Sequence, residues 1–183
     1  MNVLGQLDLP QLAVADSMGI DAPLLLEELK AAALDMQRNK SPGFDGIPPE
    51  VYVEFWNMLG LLLLDMIMTS RDKGSFSRDV NIALISLLLK KDKDTVDCSN
   101  YRPLSLLNED LKIYAKVMAR RIQSHMPTLV SCDQTGFTKS RLAADDVRRL
   151  LHIVDAAVDK TAPAAVLSID TMKAFDRLEW SFL

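Results

Sequence analysis

The apolar positions of this 183-residue chain follow two periodicities that alternate along its length. Leu24 to Arg38 repeats its apolar residues at helical spacing; Asp21-Ala-Pro23 before it is a helix-start signal, and Glu27 and Glu28 stand where they favour the helix dipole. Asn39 to Gly46 (Asn-Lys-Ser-Pro-Gly-Phe-Asp-Gly) reads as a loop, because Pro-Gly and Asp-Gly both interrupt regular structure. Pro49 then opens a helix through Val51, Tyr52, Phe55, Trp56 and Leu59, and a second, more apolar helix is predicted from Leu61 to Asp72.

Beyond residue 80 the period shortens. Asn81 to Leu89 is a short apolar run with the character of a strand, and it empties into Lys90-Lys91-Asp92-Lys93-Asp94. Asn100 to Leu107 contains Arg102-Pro103, and a residue before proline is pushed into extended geometry, so the two runs predict a hairpin. Asn108 is placed to cap a long helix to about His125. Leu111, Tyr114, Ala115, Met118 and Ile122 fall on one face, with Lys112, Lys116, Arg120 and Arg121 largely on the other, and Pro127 ends it. Residues 134–141 read as a loop and 143–160 as another amphipathic helix. Ala164 to Asp170 is a last apolar strand closed by a carboxylate, and a helical pattern starts after it. Residues 1–20 are acidic and weakly patterned, an expected connector. The expected class is α+β, mostly helical with one hairpin and one C-terminal strand.

Composition changes this picture in one respect. The net charge of −4 argues against a nucleic-acid binder, but it hides a gradient: −7 over residues 1–70, +5 over 71–141 and −2 over 142–183. A phosphate-bearing partner is therefore expected on the middle block. With 49% hydrophobic residues the chain can build a real core. Cys98 and Cys132 stand in no metal-ligand spacing, which suggests a reduced, intracellular setting. The longest apolar run, around Leu61 to Met68, is interrupted by Asp65 and far short of the ~20 residues of a membrane span, so no membrane partner is expected.

The candidate chemistry is carboxylate and arginine chemistry. No phosphate-cradling Gly-x4-Gly-Lys-Ser/Thr loop is present, and no serine, cysteine or histidine stands in a hydrolase motif. Asp170, at the carboxyl end of an apolar strand, is the kind of acid that two-metal phosphoryl transfer uses, although such a site needs further acids.

Five segments in order carry a family resemblance: Lys40-Ser-Pro-Gly-Phe-Asp-Gly-Ile-Pro-Pro-Glu50, Ala83-Leu-Ile-Ser-Leu-Leu-Leu-Lys90-Lys-Asp-Lys, Asn100-Tyr-Arg-Pro-Leu-Ser-Leu-Leu-Asn108, Asp133-Gln-Thr-Gly-Phe137 and Ile169-Asp-Thr-Met-Lys-Ala-Phe-Asp176. In this order and spacing the chain resembles the reverse transcriptases of non-LTR (LINE-type) retrotransposons over residues 24–183, most closely the polymerase part of the second open reading frame of LINE copies abundant in fish genomes. The resemblance implies a right-hand polymerase, with residues 21–160 as fingers-like helices and hairpin and 161–183 as the first palm strand and the start of the following helix. It implies two Mg²⁺ ions, with Mn²⁺ as an alternative, held by the Asp170 carboxylate and the Thr171 carbonyl. It also implies an RNA template, a DNA primer and dNTP as partners, and a nuclear and cytoplasmic location.

Residue by residue, Arg102 matches the fingers arginine that reaches the triphosphate, Lys90 and Lys91 are candidates for the same phosphates, and Phe175 matches the bulky gate beneath the incoming sugar. Ser41 and Gly43, with the rest of the Ser41 to Gly46 loop, match a segment that leans on template RNA. Gln134, Gly136 and Phe137 match a loop near the template and nascent pair. Two positions depart from the pattern: Thr171 replaces a small alanine, and Thr138-Lys-Ser-Arg141 stands where many relatives carry a Pro-Gly-Arg turn. The further aspartates, the remaining palm and the thumb lie downstream of this stretch in the family. The 183 residues by themselves are accordingly expected to be catalytically inactive. The alternative expectation is a non-catalytic RNA-binding remnant, or the product of a decayed transposon copy.

Overall fold

In the computed structural model, residues 10–159, 165–171 and 179 are described. They fall into two compact units, Met1–Ser131 and Cys132–Leu183.

The first unit is organised by three helices. α2 (Leu26–Leu34) contributes Leu29, Ala32 and Ala33, α4 (Trp56–Lys73) contributes Trp56, Leu63 and Ile67, and α5 (Glu109–Gln123) contributes Ile113 and Val117. Leu24 and Tyr52 close the cluster, the latter from α3 (Pro49–Glu54), whose proline occupies the first helical turn, where its missing N–H costs nothing. α2 meets both α4 and α5, and its two alanines let the partners approach closely. Phe76 and Tyr114 add an edge-to-face aromatic pair with centroids 5.4 Å apart. α1 (Val14–Ile20) packs on α5, so the expected connector includes about two turns of helix. Among the described residues no helix is long and apolar enough to cross a membrane.

Several helix boundaries differ from expectation: α2, expected to run from Leu24 to Arg38, spans Leu26–Leu34, and two further breaks fall elsewhere. The break between α3 and α4, expected between Leu59 and Leu61, falls at Phe55, and Gly60 lies inside α4. It is buried beneath the Trp56 indole: a Cβ at residue 60 would come within 2.7 Å of Trp56 Cε2. Gly60 thus makes room for a ring one turn earlier and does not terminate the helix. Pro127 does not end α5 either; that helix stops at Gln123, and Pro127 sits in the first turn of the short α6 (Met126–Leu129). The buried stripe of α5 is also rotated from the expected face. It runs through Glu109, Ile113 and Val117, while Ile122 is 44% exposed and Ala115 is exposed.

β1 (Leu84–Leu89) and β2 (Tyr101–Leu106) form the expected antiparallel hairpin, with Leu84 opposite Leu106 and Leu89 opposite Tyr101. All six residues of β1 are exposed.

In the second unit α7 (Ala143–Asp159) is amphipathic, as its spacing predicts, yet its apolar side chains are exposed. Its first turn is tied to the preceding loop: Thr135 donates to Asp146, and Arg149 pairs with Asp133 at 2.5 Å. Residues 165–171, which include most of the expected C-terminal strand, carry neither helix nor strand. Val166, Leu167 and Ile169 are 64–81% exposed, and a run this apolar becomes a strand only between neighbours that pair its backbone and cover its faces. Among the described residues the only sheet is β1–β2.

Candidate functional site

The hairpin gathers three of the candidates. Arg102 lies on β2 opposite Leu88, close to the tip, with its side chain exposed. Lys90 closes the ladder: its amide donates to the Asn100 carbonyl at 2.8 Å, and its Nζ donates to the Ser99 carbonyl at 2.8 Å. Lys91 follows in the turn, exposed. The long tip is held by its own polar groups. Asp97 accepts from the Ser99 amide and hydroxyl, which lowers its pKa, Asn100 Nδ2 donates to the Asp94 carbonyl, and the Tyr101 hydroxyl donates to the Thr95 carbonyl. Among the described residues neither Lys91 nor Arg102 has an ion pair. Lys90 serves as a turn fastener, whereas these two remain available to an anion.

The cations of α5 are occupied, so a phosphate-bearing partner expected on the middle block falls to its other cations. Arg121 forks onto Glu28 and also donates to the carbonyls of Ile20, Ala22 and Pro23. Lys116 and Arg120 both pair with Asp35, at 2.9 and 2.7 Å, and Lys112 pairs with Glu109 at 2.6 Å. These contacts hold the carboxyls of Glu28 and Asp35 below their ordinary range, chiefly through hydrogen bonds from Arg121 and Lys116 respectively. A cavity of about 370 Å³ is lined by Lys40, Lys112, Lys116 and Glu109. Two of its three lysines are therefore already neutralised. Glu28 and Asp35 of the N-terminal segment thus neutralise three of the four cations of α5, and Lys91 and Arg102 of the hairpin are among the middle-block cations without an ion pair among the described residues.

The 41–46 loop has a different character from that expected of it. Ser41 is exposed, but Gly43 is buried against Asn108: a Cβ at residue 43 would lie 2.3 Å from Asn108 Oδ1 and 2.5 Å from its amide nitrogen. Gly43 is required where it stands for the approach of two backbones, and it offers no exposed surface to a template. Asn108 itself is 4% exposed; its Oδ1 accepts from the Asp45 amide at 3.4 Å, and its Nδ2 donates to the Asp79 carbonyl at 3.3 Å. Its signal in the sequence was that of a helix cap, so this bridge went unread.

In the second unit Gln134, Gly136 and Phe137 share one loop, where Gln134 Nε2 donates to the Gly136 carbonyl at 3.3 Å. A Cβ at residue 136 would meet nothing closer than 3.8 Å, so the fold does not demand glycine there. Phe137 is 99% exposed with its backbone in the left-handed region at φ 61°. An aromatic ring fully in water on a strained backbone is costly twice over, and such outliers gather at functional sites.

Asp170 and Thr171 lie together in the exposed 165–171 stretch, and Phe175 lies outside the described residues. Among the described residues no three His, Cys, Asp or Glu side chains gather where they could hold a metal ion. A divalent cation such as Mg²⁺ takes six oxygen ligands. One carboxylate and one carbonyl do not by themselves make a two-metal centre.

Comparison with known proteins agrees with the order of the motifs. The family described as reverse transcriptase (RNA-dependent DNA polymerase) matches residues 88–183. The chain is 34% identical over 164 residues to a 149 kDa protein of transposon TX1 from Xenopus laevis, a match covering 90% of this chain and 12% of that protein. It is 29% identical over 160 residues to a probable RNA-directed DNA polymerase from transposon BS of Drosophila melanogaster (85% of this chain, 17% of that protein). It is 27% identical over 159 residues to the RNA-directed DNA polymerase from mobile element jockey of Drosophila funebris (85% and 17%). The chain thus spans less than a fifth of the length of these relatives. With more than half of its residues matched by the family model, this chain belongs to the reverse transcriptase family.

Proposed function

We propose that this chain forms the fingers and the first palm segment of an RNA-directed DNA polymerase, and that its hairpin holds the phosphates of nucleotide and template. The observation that carries the reading is the distribution of cations. Each basic side chain of α5 is paired with an acid, whereas Lys91 and Arg102 stand exposed on the hairpin without an ion pair among the described residues. In the reaction, a primer hydroxyl attacks the dNTP and pyrophosphate leaves. Protein groups act there by positioning and by spreading charge, and the rigid donor fork of an arginine suits a triphosphate. Phe137, exposed beside Gln134, offers a ring on which an unpaired template base could stack. Ser41, exposed on the 41–46 loop of the first unit, is a further contact for template RNA in this reading. Mg²⁺ belongs to this reading, with Asp170 as one of its ligands.

The test is binding of the chain to single-stranded RNA, followed by fluorescence anisotropy between about 50 and 200 mM salt. The slope of log affinity against log salt should fall by about one in Lys91→Ala and again in Arg102→Ala. Lys116→Ala, which removes a paired cation, should leave the slope unchanged. Salt-independent binding, or an equal fall in all three variants, would sink the proposal.

A further inference from the structure

We propose that Asn108 is a positioning residue that locks the 41–46 loop onto the base of the β1–β2 hairpin, so that both present one pre-oriented surface to RNA. The inference rests on the functional reading above for what the two segments bind, and on geometry alone for the lock. Asn108 occupies the N-cap position of α5, where an asparagine side chain ordinarily accepts from the amides of its own first turn. It makes no such bond. The Leu111 amide is instead taken by the side chain of Asp110, which leaves the Asn108 amide group to turn outward from the helix. There it joins two segments that are distant in sequence: its oxygen accepts from Asp45, and its nitrogen donates to the carbonyl of Asp79.

The place of the bridge gives it meaning. Asp79 lies in the turn that leads into β1, and Asn108 is two residues beyond the end of β2, so both legs of the hairpin arrive at this one side chain. Gly43 seats the loop against the same residue at a separation no side chain would allow. A helix cap has been given up for a tie between the loop that bears Ser41 and the strands that bear Lys90 and Arg102. Asparagine is the residue type this needs, because it offers one acceptor and one donor at the end of a short, rigid stem.

Asn108→Ser separates the two roles. Serine is a good helix cap, so α5 keeps its stability, but its hydroxyl is too short to bridge Asp45 and Asp79. In hydrogen exchange, the peptides covering residues 41–47 and 76–83 should lose protection together in this variant, while those within α2 and α5 keep theirs. RNA affinity should fall about five- to tenfold through lost pre-orientation, with the salt slope unchanged because no phosphate contact is removed. Protection unchanged in either segment would overturn the lock, whether or not the chain binds RNA. Coupled loss of protection with no RNA binding by the parent chain would leave the lock standing and refute the functional reading instead. Coupled loss with parental RNA affinity would refute the claim that the lock serves binding.

Discussion

Arg121 and Glu28, 93 residues apart in sequence, form a two-pronged ion pair: Nε donates to Oε1 at 2.9 Å and Nη2 to Oε2 at 2.6 Å. Only 11% of the arginine side chain is exposed, and its remaining donors bind the carbonyls that precede α2. This arrangement is structural, and its removal strands a carboxylate and several carbonyl groups. Arg121→Ala should cost about 2–3 kcal/mol in urea unfolding, the lower part of the range for such pairs because Glu28 keeps access to water.

The same pair sets a pH dependence. The Glu28 carboxyl is held below its ordinary value of 4.5, chiefly by the hydrogen bond from Arg121. A depressed carboxyl contributes stability that is complete above its unfolded value and is lost as pH falls through its folded value. Asp110 runs the other way. Burial raises its pKa, so its ionisation opposes folding, and stability is lost as pH rises through its folded value. Thermal melts from pH 7 down to about 3 should therefore show a shallower acid loss in Glu28→Gln. Asp110→Asn should melt at or above the parent temperature at pH 7 and lose that advantage in acid.

Gly60→Ala reverses the usual helix rule. Alanine in a helix interior ordinarily stabilises by about 1 kcal/mol over glycine. Here the added methyl would enter the Trp56 ring, with contacts of 2.7, 2.9 and 3.0 Å to Cε2, Cζ2 and Nε1, and Trp56 is buried. A net destabilisation of about 1–3 kcal/mol is expected, read by chemical denaturation.

Two other glycines should part company. Gly43→Ala drives a methyl into Asn108 and should lower both stability and RNA affinity, whereas Gly136→Ala makes only an ordinary 3.8 Å contact with the Gln134 side chain and should stay within about 0.5 kcal/mol of the parent. A loss of RNA affinity in Gly136→Ala at parental stability would mark close approach of the ligand to that backbone.

Phe137→Gly removes an exposed ring from a left-handed backbone and relieves strain of about 1–3 kcal/mol. Stability should hold or rise. If the ring stacks on a template base, single-stranded RNA should bind about 5- to 150-fold more weakly, the equivalent of about 1–3 kcal/mol. Unchanged affinity would remove Phe137 from the interface.

Local signals were legible where local chemistry decides the outcome. The 3.6-residue pattern placed α5 and α7 to within two residues at each end, and the Arg102-Pro103 step with its apolar partner run placed the hairpin. The failures were of contact. The break between α3 and α4 was expected after Leu59 because the sequence does not show Trp56 folding over Gly60 within one helix. The net charge of +5 over 71–141 did not show that its α5 arginines are neutralised, because Glu28 and Asp35 lie about ninety residues away from them. Asn108 looked like a cap because its bonds to Asp45 and Asp79 span 63 and 29 residues. The 165–171 segment has the composition of a strand, but pairing depends on neighbours, and composition cannot supply them.

The hairpin has a practical consequence. Among the described residues the two strands have no further strand on either outer edge, and β1 turns Leu84, Ile85, Leu87, Leu88 and Leu89 toward water. An edge of this kind templates the addition of a further strand, including one from an identical molecule. Protein concentration and standing time are thus variables in every binding measurement on this chain, and a titration repeated at several dilutions separates capture of RNA from self-association through the leucine-rich edge.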